Sequence, residues 1–277
     1  MKKFITIIVA LLSIHSASAW SKAIHAGIAA IADANLTEQT KESIRQAFDG
    51  RNIVYYAHWM YDMADTKGYE QTKNWRSVAI AKNNKPLKSK KVASHSEDVV
   101  RRAQGLDALA AAIRAIESGN LTKEQLADNI RYIVTIVGDL HCPTHYIFVD
   151  NLPQRKMYYF YNDKKQSYVG YWENGSIAGT FPWKSNEYVH QLNRKSPEQI
   201  AQITKGSVTS WVISNAAAYR EIYTLLKDGQ KFNQKSYRLW QNIIYPISTE
   251  QAAVAGYRIA AILNGLFDSN VPNVKIK

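Results

Sequence analysis

The stretch from Thr122 to His145 constrains this chain more than any other. Thr122 followed by Gln125 is a capping box, in which the first and fourth residues satisfy each other's exposed backbone N–H groups. Behind it Leu126, Ile130, Ile133, Val134 and Val137 recur at helical spacing, so one face of a long helix is buried. That helix ends in Gly138-Asp139-Leu140-His141-Cys142-Pro143-Thr144-His145. Pro143 cannot continue the helix, and the chain it turns brings His145 back toward the helix end. A carboxylate and two imidazoles so close together can hold a cation such as zinc. They can equally well hydrogen-bond the helix terminus, and the residues alone leave both readings open.

Elsewhere the pattern is also helical. Ser196 and Pro197 read as an N-cap and a first helical residue ahead of Ile200. Ser248 with Gln251 opens a helix carrying Ala255, Ile259, Ile262 and Leu266, and Leu106 to Ile116 is Ala-rich. Tyr158 to Trp172 breaks the pattern, with aromatics and polar interruptions that suit a short hairpin or an irregular insertion. With no repeat and no Pro/Gly linker, the expected fold is an all-α, single-domain helical bundle over 20–268, followed by a frayed tail at 269–277.

The amino terminus reads as a leader. Lys2 and Lys3 precede the apolar run Phe4 to Leu12 and the small residues Ala17, Ser18 and Ala19, so residues 1–19 are a signal peptide with cleavage after Ala19. The run is too short to span a bilayer, no later segment approaches the roughly 20 apolar residues needed, and the product is expected in the periplasm or outside the cell. Cys142 is the only cysteine, so no intramolecular disulfide can form, and packing or bound metal supplies the stability. The formal net charge is +12, which suits an anionic partner such as nucleic acid, lipid or cell-wall polymer. The charges are scattered apart from Lys82 to Lys91, and a plain solvated surface accounts for them as well.

Leader removal exposes the α-amine of Trp20, whose nitrogen and carbonyl can chelate one ion, with His25 folding back along a helix to add an imidazole. A His near a terminus is also a common surface residue. No Walker-type phosphate loop, HExxH, paired CxxC or GxSxG occurs, which removes the rival enzyme classes those motifs mark. Tyr55, Tyr56, Trp59, Tyr158, Tyr159 and Tyr171 can stack on unpaired bases or simply fill the core.

Taken together, Trp20-Ser-Lys-Ala-Ile-His25 and the Gly138 to His145 segment resemble the zinc-dependent single-strand nucleases of the S-one/P-one type, relatives of bacterial zinc phospholipase C. Val54-Tyr-Tyr-Ala-His-Trp59, Trp75, Trp172-Glu173 and the closing Gly256-Tyr257-Arg258 to Leu263-Asn264 segment extend the resemblance over nearly the whole chain after Ala19. It implies a helical bundle holding three zinc ions that activate water and grip a phosphate of single-stranded DNA or RNA. Trp20, His25 and Asp139 match the ligands of one ion, and Asp139 also bridges to a neighbour. Where the family has that neighbour's Asp, His and His, this chain has Tyr61, Arg76 and Thr135; Asp62, Asp65, His58 and His141 lie close enough in sequence to compensate, Asp62 foremost. A further ion keeps His145 and Glu173, with Val169 in place of its second His.

The resemblance thus implies a zinc-dependent phosphodiesterase of the single-strand endonuclease type, with one to three zinc ions, one of them best supported. The replaced ligands imply an alternative, a catalytically degenerate protein that binds an anion or nucleotide with at most one structural zinc. In either case Arg76, permanently charged, and His58 are the groups expected to meet a phosphate. No protein partner is implied.

Overall fold

The computed structural model describes residues 20–88, 103–152 and 156–277. The expected leader at 1–19 and the end of the Lys82 to Lys91 run lie outside them. The fold is all-α with small sets of strands. Helix α1 (Lys22–Ala34) starts where the Ser21 hydroxyl accepts from the Ile24 N–H, and Thr37 caps α2 (Glu38–Ala47) in the same way. A single turn, α3 (Trp59–Asp62), leads toward α4 (Gly105–Glu117) and the long α5 (Lys123–Asp139). The Thr122–Gln125 capping box is present, and Ile130, Ile133, Val134 and Val137 are buried as the spacing requires.

After the one-turn α6 (Tyr168–Gly170) come α7 (Ser185–Leu192), α8 (Pro197–Thr204), α9 (Val208–Ile222) and α10 (Gln234–Phe267). Helix α8 opens on the expected Ser196 cap with Pro197 in its first turn. Helix α1 lies against α7 and α10, and α10 also crosses α5, so α1, α5 and α10 enclose the core. The α1–α10 crossing depends on Gly256, because a Cβ there would come within 2.6 Å of the Ile31 side chain.

Two strand sets position loops. Strand β1 (Val78–Ile80) pairs in parallel with β2 (Tyr146–Phe148), Val78 opposite Tyr146. Strand β3 (Tyr158–Tyr161) pairs antiparallel with β4 (Lys164–Ser167) through a turn at Asn162 and Asp163, both at positive φ, and in parallel with β5 (Gln230–Phe232). The hairpin expected in this segment is therefore present.

Two features differ from the sequence reading. Helix α10 does not open at Ser248: it starts behind the Asn233–Ser236 capping box and runs through Pro246, and the Ser248 hydroxyl donates to the Ile244 carbonyl one turn back. The buried Trp240 and Ile244 stripe continues the apolar face across the proline, which carries the helix through a residue that normally ends one. The segment after Asp268, expected to fray, folds back instead. The carbonyls of Lys275 and Ile276 accept from the N–H groups of Val208 and Thr209 in the first turn of α9, where a helix has unpaired donors.

Candidate functional site

The site forms where the start of α1 meets the end of α5. Trp20 is fully buried; its indole N–H donates to the Gly138 carbonyl at 3.0 Å, and its ring meets Trp172 edge-on at 6.4 Å. The next residue, Ser21, donates its N–H to the Glu173 carbonyl at 2.7 Å, from a π-helical turn at Tyr171–Gly175. One turn into α1, His25 lies against Gly138, where a Cβ would stand only 3.2 Å from the imidazole Nδ1. That small residue lets His25 reach the carboxylate on the following position of α5.

His25 Nε2 is 3.2 Å from Asp139 Oδ1, and both side chains are almost wholly buried. Neither His25 Nε2 nor Asp139 Oδ2 has a hydrogen-bond partner. Buried polar atoms are seldom left so, since each costs on the order of 1–3 kcal/mol. His25 Nε2 and Asp139 Oδ2 are atoms of the kind a cation can use, and the Trp20 side chain is anchored on the residue just before Asp139. Among the described residues no group of three or more His, Cys, Asp or Glu converges on one point, so two side-chain ligands need a donor such as the Trp20 amine and carbonyl to complete a set.

The neighbouring positions do not suit a second ion. The Tyr61 hydroxyl donates to Asp139 Oδ1 at 2.9 Å, occupying the oxygen that a bridging carboxylate would offer. Arg76 is buried, with its guanidinium carbon 4.0 Å from the Tyr61 ring centroid and its Nε without a hydrogen-bond partner. A fixed positive charge here repels a metal cation. Thr135, one turn before Asp139, is buried and directs its hydroxyl to the Ala57 carbonyl.

The nearby acids and imidazoles are engaged with other groups. Both Asp62 oxygens are engaged, Oδ1 with His58 Nδ1 and Oδ2 with Lys22 Nζ, each at 3.0 Å. Burial alone would raise the Asp62 carboxyl, but the bonds from His58 and Lys22 outweigh it and hold it below the usual range. His58 stacks on Tyr61 at 4.7 Å and lies 5.8 Å from the His25 ring; burial, then the nearness of His25, pulls its pKa down. Asp65 pairs with Lys73 on the surface. His141 uses both ring nitrogens, Nδ1 on the Val137 carbonyl and Nε2 on Arg258.

On the third side, the parallel pairing of β1 with β2 sets His145 beside the chain just before β1. Its Nδ1 bonds the Arg76 carbonyl and lies 3.4 Å from the Ser77 hydroxyl. Cys142 is buried with its sulfur 3.2 Å from the Thr144 hydroxyl; burial, with the charges of Glu173 and Asp139 adding to it, keeps the thiol protonated. Val169 lies in α6 and supplies no ligand atom. Sequence reasoning treated Tyr61 only as a lost ligand and passed over its role as a donor to Asp139; a hydroxyl where a carboxylate is expected was the available signal. Lys22, three residues from His25, carried no such signal.

Comparison with known proteins places the chain in a family. The model of the S1/P1 nuclease family covers residues 20–268. The chain belongs to the S1/P1 nuclease family. Membership points to a nuclease, a phosphodiesterase acting on nucleic acid. No curated protein matches the chain. No described helix is long and apolar enough to cross a membrane.

Proposed function

We propose that this S1/P1 nuclease family member is an exported, zinc-dependent phosphodiesterase of the single-strand-specific type, acting on DNA or RNA in the periplasm or outside the cell. The observation that carries the reading is the unpartnered His25 Nε2 and Asp139 Oδ2 beside buried Trp20. Trp20, once its amine is freed, His25 and Asp139 hold one zinc; His145 and Glu173 are the candidates for another, and the bond from His145 Nδ1 to a backbone carbonyl is of the kind that orients an imidazole ligand. Zinc supplies charge to a phosphate oxygen and acidifies bound water.

The chain's own residues do the rest. Tyr61 fixes the Asp139 carboxylate through Oδ1, so that Asp139 would hold a bound ion in one orientation. Arg76 offers a fixed cation to a phosphate where the family pattern has a metal ligand, and His58, held by Asp62, lines the approach. No step passes through a second ion at Tyr61, Arg76 and Thr135, because those three groups do not fit one.

The Tyr61–Asp139 bond and the buried Arg76 also favour a second reading, a degenerate member that binds an anion or nucleotide with at most one structural zinc. Metal analysis of the mature chain, with cleavage of single-stranded DNA and RNA before and after EDTA, separates the two. EDTA-sensitive cleavage with bound zinc supports the enzyme; binding without turnover supports the second reading and rejects the first. A form retaining one residue ahead of Trp20 is expected to lose zinc, because the chelating amine becomes an amide, and unchanged affinity rejects the terminal chelate.

A further inference from the structure

The end of α1, the middle of α2 and the loop behind it enclose a surface cavity of about 370 Å³ that shares no lining residue with the site above. Tyr55 forms one wall. It is 68 % exposed, an unusual setting for a large aromatic, and the Arg51 guanidinium lies 4.8 Å from its ring centroid. Arg51 thus covers one face of Tyr55 and gives the pair a cationic character, so that a flat ligand stacks on the pair from outside. Lys41 and Arg45, one turn apart on α2, line the cavity as well. Their pairings, Lys41 with Glu38 at 2.7 Å and Arg45 with Glu42 at 3.7 Å, are surface ion pairs of the weak kind that a bound anion displaces.

Asp33, at the end of α1, is the acidic lining residue. Burial raises its carboxyl against the opposing pull of Lys41, Arg45 and a hydrogen bond with the Asn52 side chain, which also lines the cavity. A simple anion answers the cations of this cavity but brings the Asp33 carboxylate no donor. A purely apolar ligand leaves three cations and a carboxylate unanswered. A ligand with a flat ring, an N–H edge and an anionic tail answers all of them.

We infer that this cavity binds a single guanine nucleotide, its base stacked on Tyr55 and Arg51, its Watson–Crick edge on Asp33 and its phosphate on Lys41 and Arg45. Aromatic and guanidinium stacking is tolerant of base identity. Selection comes from Asp33: guanine presents two adjacent N–H donors to a carboxylate's two oxygens, whereas adenine presents one donor beside an acceptor. The Lys and Arg heads give the phosphate charge-assisted bonds. The volume is that of a small-ligand site, within the usual range of roughly 300–1,000 Å³. A free nucleotide and the guanine end of a strand offer the same chemistry.

The test is calorimetric titration of the mature chain with GMP, AMP, guanosine and inorganic phosphate. GMP is expected to bind in this cavity, apart from any binding at Arg76, about tenfold tighter than AMP and tighter than guanosine or phosphate. Tyr55→Ala is expected to weaken GMP about tenfold with an unchanged melting temperature, since the ring is exposed. Asp33→Asn is expected to erase the preference over AMP, and Arg76→Leu, which weakens phosphate at the other site, to leave the guanine preference of this cavity in place. Competition by a short DNA strand ending in guanylate assigns the site to strand ends, and its failure assigns it to the free nucleotide. GMP affinity untouched by Tyr55→Ala, lost in Arg76→Leu, or absent at millimolar GMP overturns the inference.

Discussion

Arg258 and Arg76 are both buried, at 9 % and 5 % exposure, and among the described residues neither forms an ion pair with a carboxylate. Their surroundings differ. Arg258 on α10 donates to His141 Nε2 at 2.9 Å, to the Asn215 side chain at 3.5 Å and to the Ile203 carbonyl at 3.3 Å, and it lies over the Trp211 ring. Burial and the nearby guanidinium press His141 down to about 3, so it stays neutral and serves Arg258 as an acceptor. Burial in turn lowers Arg258 to about 10. Arg76 has the face of Tyr61 and an Nε with no partner. A buried charge costs several kcal/mol unless its donors are met. In the first case neutral groups of the fold meet that cost; in the second the Tyr61 ring meets part of it and Nε is left open, which the proposed function assigns to an anion.

The contrast makes predictions of graded size. Arg258→Leu strands the acceptors of His141 and Asn215 in the interior and is expected to lower unfolding free energy by roughly 3 kcal/mol in urea titration. A loss below about 1 kcal/mol would place both arginines on one footing. Arg76→Leu is expected to leave stability level or raise it while weakening phosphate binding about tenfold, a change of about 1.4 kcal/mol. If it destabilises as much as the Arg258 variant, Arg76 belongs to the frame and not to the ligand. Arg220 gives the baseline: it grips Asp150 through two bonds at 2.9 and 3.1 Å near the surface. Asp150→Asn is expected to cost no more than ~1 kcal/mol. Because Arg220 holds that carboxyl below its ordinary 3.8, the contribution is full above that value and lost as pH falls further, which melts at pH 2 to 6 can follow.

How far the sequence carried is clearest on α5. Its cap, apolar stripe and terminal Gly138-Asp139 follow from local rules, and local rules describe a helix well when one face is continuously buried. The meeting of Trp20 with Asp139 came from motif resemblance, since spacing along a chain does not say which distant segment closes on which. Helix α10 was half legible, because Pro246 ordinarily stops a helix and only the packing of Trp240 and Ile244 against the core shows that it does not. Of the aromatics read as either stacking or core residues, Tyr159 and Tyr171 are buried while Tyr55 is exposed, a difference that depends on tertiary neighbours. The Arg51–Tyr55 cavity was not legible at all, being assembled from α1, α2 and the loop between helices.

The return of the chain end onto α9 bears on how the protein can be handled. Two carbonyls only a residue or two from Lys277 occupy donors at the start of a helix, so an affinity tag joined directly there competes with a contact of the fold. Removing the last four residues is expected to loosen the first turn of α9 to hydrogen exchange, while a tag set off by a flexible spacer leaves that turn protected.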